Sequence, residues 1–80
     1  MTLAFVLVEC ARGLASSAEQ GLMQVQGVLE AHSIKSGTEY DLLVKVQAEN
    51  ENQLKSTITA IKHVAGIAAI AVSIVYAGTQ

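Results

Sequence analysis

One four-residue pattern occurs twice in this 80-residue chain: Val25-Gln26-Gly27-Val28 recurs as Val64-Ala65-Gly66-Ile67, 39 positions further on. Each copy follows a stretch with helical spacing and precedes an aliphatic run. A glycine that can take positive φ, flanked by aliphatic residues that pin it, is what a chain needs where a helix ends and a strand begins. Needing that joint twice at a fixed interval constrains the chain to two similar halves, each strand, helix, strand.

The intervening residues fit this frame. Leu3 to Glu9 is an apolar run of strand length, with Leu3, Phe5 and Leu7 on one face and Ala4, Val6 and Val8 on the other. Arg12-Gly13 breaks it. Ser16 to Glu19 has the spacing of a capping box, and Leu14, Ala18, Leu22 and Val25 then form a helical stripe. Val28 to Ile34 reads as a second strand with Glu30 and His32 on one face, and Ser36-Gly37-Thr38 is turn chemistry. Tyr40 to Val46 alternates as a third strand, paired antiparallel to the second. Asn50 caps a second helix lined by Leu54, Ile58 and Ile61 that ends near His63. Ala68 to Tyr76 closes the chain, with Ile70, Val72, Ile74 and Tyr76 on one face and Ala69, Ala71, Ser73 and Val75 on the other.

The expected fold is therefore α+β: a ferredoxin-like βαββαβ sandwich, with a four-stranded antiparallel sheet and two helices on one face. Residues 1–80 are read as a single domain with no room for a separate DNA-binding module. Right-handed crossovers put both helices on the same side, which leaves the other face of the sheet open. On the first strand either face is apolar. The chain is 51% hydrophobic with a mean hydropathy of +0.42, yet Phe5, Tyr40 and Tyr76 are its only aromatic residues. Hiding roughly 500 Å² of such surface per subunit, at about 25 cal/mol per Å², is worth on the order of 12 kcal/mol before association costs. Dimerisation through the sheets is expected.

Charge excludes some functions. Arg12, Lys35, Lys45, Lys55 and Lys62 are scattered singly against seven acidic residues, so no basic stripe is available for phosphates and direct nucleic-acid binding is not expected. Leu3 to Val8 lacks a basic flank and is too short for a signal-peptide core. Val64 to Ala77 falls short of the roughly 20 residues of a membrane span. The expected location is the cytoplasm.

Chemistry-bearing residues are few. Cys10 stands at a strand end with no histidine close in sequence, and is read as structural. His32 and His63 lie 31 residues apart with no carboxylate at ligand spacing, so no metal is expected. His32 beside Glu30 reads as an interface or edge pair, and His63 as a helix C-terminal residue favoured by the dipole. Two readings of Asp41 stay open: its carboxylate accepts hydrogen bonds from a ligand ammonium beside the Gly37 backbone, or it caps the hairpin. No phosphate loop, nucleophile elbow or catalytic carboxylate pair is present.

Taken together, the opening strand Ala4 to Val8, the junctions at Gly27 and Gly66, and Gly37-Thr38-Glu39-Tyr40-Asp41-Leu42-Leu43-Val44-Lys45-Val46 resemble the effector-binding RAM domain of the Lrp/AsnC transcription regulators. The central stretch, similar to that family's Gly-x-Tyr-Asp-Leu-Leu hairpin motif, is the most specific part. The resemblance implies sheet-paired dimers, higher assemblies such as an octamer, and an amino acid bound between dimers near the hairpin loop. Carried over by position, the implied ligand residues are Gly37, Glu39, Tyr40 and Asp41. The family often places hydroxyls on the last strand near the positions of Ile70 and Val72, and Ser73 is the one hydroxyl inside that strand here. With no helix-turn-helix in the 80 residues, the implied role is a stand-alone sensing module that co-assembles with full-length regulators, without a cofactor or catalysis. Two alternatives compete: a small dimeric α+β barrel enzyme of the monooxygenase or isomerase type, and a ligand-free assembly partner. The scarcity of histidine and aromatic residues disfavours the enzyme.

Overall fold

In the computed structural model, which describes residues 2–34 and 39–76, the elements run β1 (Thr2–Cys10), α1 (Ala15–Leu22), β2 (Val28–Ser33), β3 (Leu42–Ala48), α2 (Glu51–Lys62) and β4 (Ile67–Tyr76). The four strands form one antiparallel sheet in the order β2-β3-β1-β4, the ferredoxin-like arrangement expected from the element order. Among the described residues no helix is long and apolar enough to cross a membrane.

Strand alternation separates the two faces. Ala4, Val6 and Val8 of β1 and Leu42, Val44 and Val46 of β3 are wholly buried, together with Ala18 and Leu22 of α1 and Leu54 and Ile61 of α2. Register places Ile70 and Val72 of β4 on this helix-covered side, opposite Val8 and Val6. Ile70 packs against the core, whereas Val72, further along the same edge strand, remains 39% exposed. The opposite face carries Leu3, Phe5 and Leu7, flanked by Leu43, Lys45 and Gln47 on one side and by Ala71 and Ser73 on the other. Among the described residues, no element covers it.

The two glycine junctions are the same structure built twice. Gly27 and Gly66 have φ of 101° and 95°. Before each, an amide bonds back into the helix end: Val25 N–H to the Leu22 carbonyl (3.0 Å) and Val64 N–H to that of Ile61 (3.1 Å). Val28 and Ile67 then close the turn onto the Val25 and Val64 carbonyls. Each glycine carbonyl is taken by a neighbouring segment, that of Gly27 by Gln47 N–H (2.9 Å) and that of Gly66 by Ala11 N–H (2.8 Å). A side chain at Gly27 would meet the Thr57 hydroxyl at 3.0 Å.

The helices differ in how they start. Asn50 caps α2 as expected, its Oδ1 accepting from Gln53 N–H at 2.8 Å, while Gln53 Oε1 reaches back to Glu49 N–H at 2.6 Å. The capping box expected at Ser16 does not form: α1 begins earlier, with Leu14 at the cap position and no side-chain cap. Its entry is set by backbone instead, through Ala11 bound to Gly66 and Leu14 N–H to the Ala11 carbonyl (2.9 Å). Leu14 consequently stands 44% exposed rather than joining the buried stripe. On α2 the stripe includes Thr57, buried with its hydroxyl directed at the Gln26 carbonyl (3.4 Å), which apolar spacing alone does not pick out.

Candidate functional site

Of the sequence-predicted ligand residues, Glu39, Tyr40 and Asp41 lie at one end of the sheet, where β3 begins, and Ser73 lies apart from them. Gly37 lies outside the described residues. Glu39 is exposed, Tyr40 is half-buried and has an interaction of its own, and both precede the ladder, which starts at Leu42 rather than at Tyr40. Asp41 is the most heavily engaged. Its N–H donates to the Val8 carbonyl (2.8 Å), its carbonyl accepts from Ile34 N–H (3.0 Å), and its Oδ2 accepts from Cys10 N–H (2.8 Å). The carboxylate reaches across to the end of β1.

That contact defines the setting of Cys10. Half-buried at an irregularity where the β1–β4 register shifts, its thiol is pushed above the ordinary cysteine range by burial first and by the adjacent Asp41 carboxylate second. A thiol held protonated in this way is a poor nucleophile, in keeping with a structural role.

Ser73 sits elsewhere on the open face, exposed and opposite Phe5. Leu42 lies opposite Val8, so Asp41 is about four residues further along β1, roughly 13 Å, and two strand spacings across the sheet. A single chain does not bring Ser73 and Asp41 to one small ligand.

Beyond these, the open face carries an ionic pair. His32 Nε2 donates to Glu30 Oε1 at 2.7 Å on exposed β2, with Lys45 opposite Glu30 on β3. The hydrogen bond from His32 comes first in holding the Glu30 carboxyl below the usual glutamate range; desolvation opposes it, and the charges of Lys45 and then of His32 add to the lowering. His63 is unrelated to this pair; it terminates α2 and its Nδ1 donates to the Thr59 carbonyl (2.8 Å). Among the described residues, no three His, Cys, Asp or Glu side chains are placed to hold a metal ion.

At the other end of the sheet an open cleft of about 460 Å³ separates the first junction from α2, lined among others by Gln26, Gln47, Gln53, Ser56 and Thr57. Sequence reasoning did not single it out, because its lining comes from three separate segments. Gln53 and Thr57 are already committed there, to Glu49 and Gln26.

Comparison with known proteins narrows the reading. No curated protein sequence matches the chain. The crystal structure of FFRP-DM1 is 30% identical with a TM-score of 0.85, covering 94% of this chain and 99% of that one. Escherichia coli AsnC is similar in fold, at 21% identity and a TM-score of 0.79, and 92% of this chain matches 50% of it. The siroheme decarboxylase NirDL shares the fold alone, at 12% identity and a TM-score of 0.78, over 92% of this chain and 25% of that one. The family described as the Lrp/AsnC ligand binding domain matches residues 3–78, nearly the full length, and the chain belongs to that family.

Proposed function

We propose that the chain is a single-domain, amino-acid-responsive module that assembles with copies of itself and modulates full-length Lrp/AsnC-type regulators by co-assembly, without catalysis or direct contact to nucleic acid. The observation that carries this reading is the open face: Leu3, Phe5, Leu7 and Leu43 form an apolar centre that the chain's own helices do not cover, in a member of a ligand-binding family. Two copies joined through this face hide it, and higher assembly, an octamer for example, brings hairpin ends of different dimers together. An amino acid held by Gly37, Glu39, Tyr40, Asp41 and Ser73 has to lie between copies, because Asp41 and Ser73 are too far apart in one. The setting expected for such a module is the cytoplasm.

A thermal-shift screen of the twenty amino acids, paired with sedimentation, tests this. At 100 times its Kd a ligand adds about 2.7 kcal/mol, a rise of roughly 10 °C or more for a domain of this size. An assembled protein that responds to none of them would favour the ligand-free assembly role, and a monomer would remove the shared site. A second reading, a small dimeric α+β barrel enzyme, draws on the fold shared with the siroheme decarboxylase NirDL. Turnover or tetrapyrrole binding by the purified protein would favour it over the sensing role.

A further inference from the structure

The hydrogen bonds around Asp41 form part of a longer backbone path. Cys10 N–H is held by Asp41 Oδ2 (2.8 Å). The next amide, Ala11 N–H, is held by the Gly66 carbonyl (2.8 Å), and the Ala11 carbonyl in turn accepts from Leu14 N–H, which opens α1. Gly66 leaves no slack, since a Cβ there would stand 3.2 Å from that of Leu14. The first junction has no counterpart to this path: the Gly27 carbonyl is held by Gln47 at the far end of β3.

We infer that Asp41 is a positioning residue, whose carboxylate fixes the β1–α1 turn through Cys10 and thereby ties the hairpin end of the sheet to the second glycine junction and the start of α1. The uncapped start of α1 explains why such a tie is needed, because nothing in its own first turn holds it. The turn is anchored from outside, by one side chain 31 positions away in sequence. For its use in sensing, the inference rests on the proposed function: an ammonium group drawn to Asp41 competes with the Cys10 amide and loosens the adjoining β1–α1 turn. The tie itself belongs to the free protein and is tested there, so that its failure and the failure of amino-acid binding are separate results.

Two variants separate the parts played by the carboxylate. Asp41→Asn keeps an oxygen acceptor and removes the charge, while Asp41→Ala removes both. In amide exchange followed by NMR, D41A is expected to speed exchange at Cys10 and Ala11 by about tenfold, the worth of one such hydrogen bond, with Gln47 at the first junction unchanged. D41N restores protection at both amides. Alkylation of Cys10 as a function of pH supplies the second readout: the thiol midpoint falls in D41N, since its burial stays and the neighbouring charge goes. A Cys10 thiol that titrates identically in D41N and the parent overturns the inference, and this holds even where D41A fails to fold. Unchanged exchange at Ala11 in a folded D41A overturns the link to the second junction.

Discussion

The two faces of the sheet are cut from the same strands and differ in an instructive way. On β1 the helix-covered side carries the smaller residues, Ala4, Val6 and Val8, all wholly buried, while the uncovered side carries Leu3, Phe5 and Leu7, half-buried by their neighbours in the sheet. Helices need room to approach a sheet closely, so small side chains belong beneath them. On β1 side-chain size thus separates the layer beneath the helices from the layer they leave bare, whereas on β4 the order is reversed, with Ile70 and Val72 on the covered side and Ala71 and Ser73 on the bare one.

Substitutions on each side test that division. Leu22→Ala, which removes the largest buried side chain of α1, is expected to cost about 2–5 kcal/mol, read as a lower Tm at any protein concentration. Phe5→Glu should leave the isolated fold within about 0.5 kcal/mol. It should weaken association by about a hundredfold or more, because a carboxylate is then trapped in the contact. Sedimentation checks this, and a Phe5→Glu protein that assembles like the parent breaks the assignment of the bare face.

Smaller effects sharpen the picture of how helices are seated on the covered side. Gly27→Ala combines an unfavourable φ with a close approach to Thr57 and is expected to cost about 1–2 kcal/mol. Asn50→Ala, which removes the α2 cap, should cost about 1 kcal/mol; chemical denaturation measures both. The smallest effect lies on the bare side. Because the folded Glu30 carboxyl is held below its ordinary range, its contribution is present above the unfolded value and is lost as pH falls through the folded one. NMR titration should find the Glu30 midpoint low, and His32→Ala should return it upward.

Much of the fold was readable from local pattern, for reasons that particular residues make clear. The alternation of β1 and β3, the two glycine joints and the Asn50 cap are short-range signals, and each appears where spacing placed it except that β3 runs Leu42–Ala48, two residues later than Tyr40 to Val46. The start of α1 was not readable. Ser16 has the right neighbours for a cap, but the Gly66 carbonyl, distant in sequence, positions Ala11 and begins the helix earlier. The engagement of Asp41 was hidden for the same reason: a carboxylate before a strand looks equally suited to a turn or a ligand, and only the fold brings the Cys10 amide to it. Recognition of the hairpin motif pointed to the correct family, though the motif could not say which of its side chains were already spoken for.

The paired glycine joints carry one more implication. Since each joint closes a right-handed strand-helix-strand crossover, both helices lie on the same side, and the bareness of the reverse is settled by handedness before any side chain is chosen. A lineage built on this scaffold can tune what covers that side, or spoil it with charge, yet it cannot supply a cover from within the two halves. Topology therefore leaves that side bare, and sequence decides whether it meets water or another copy.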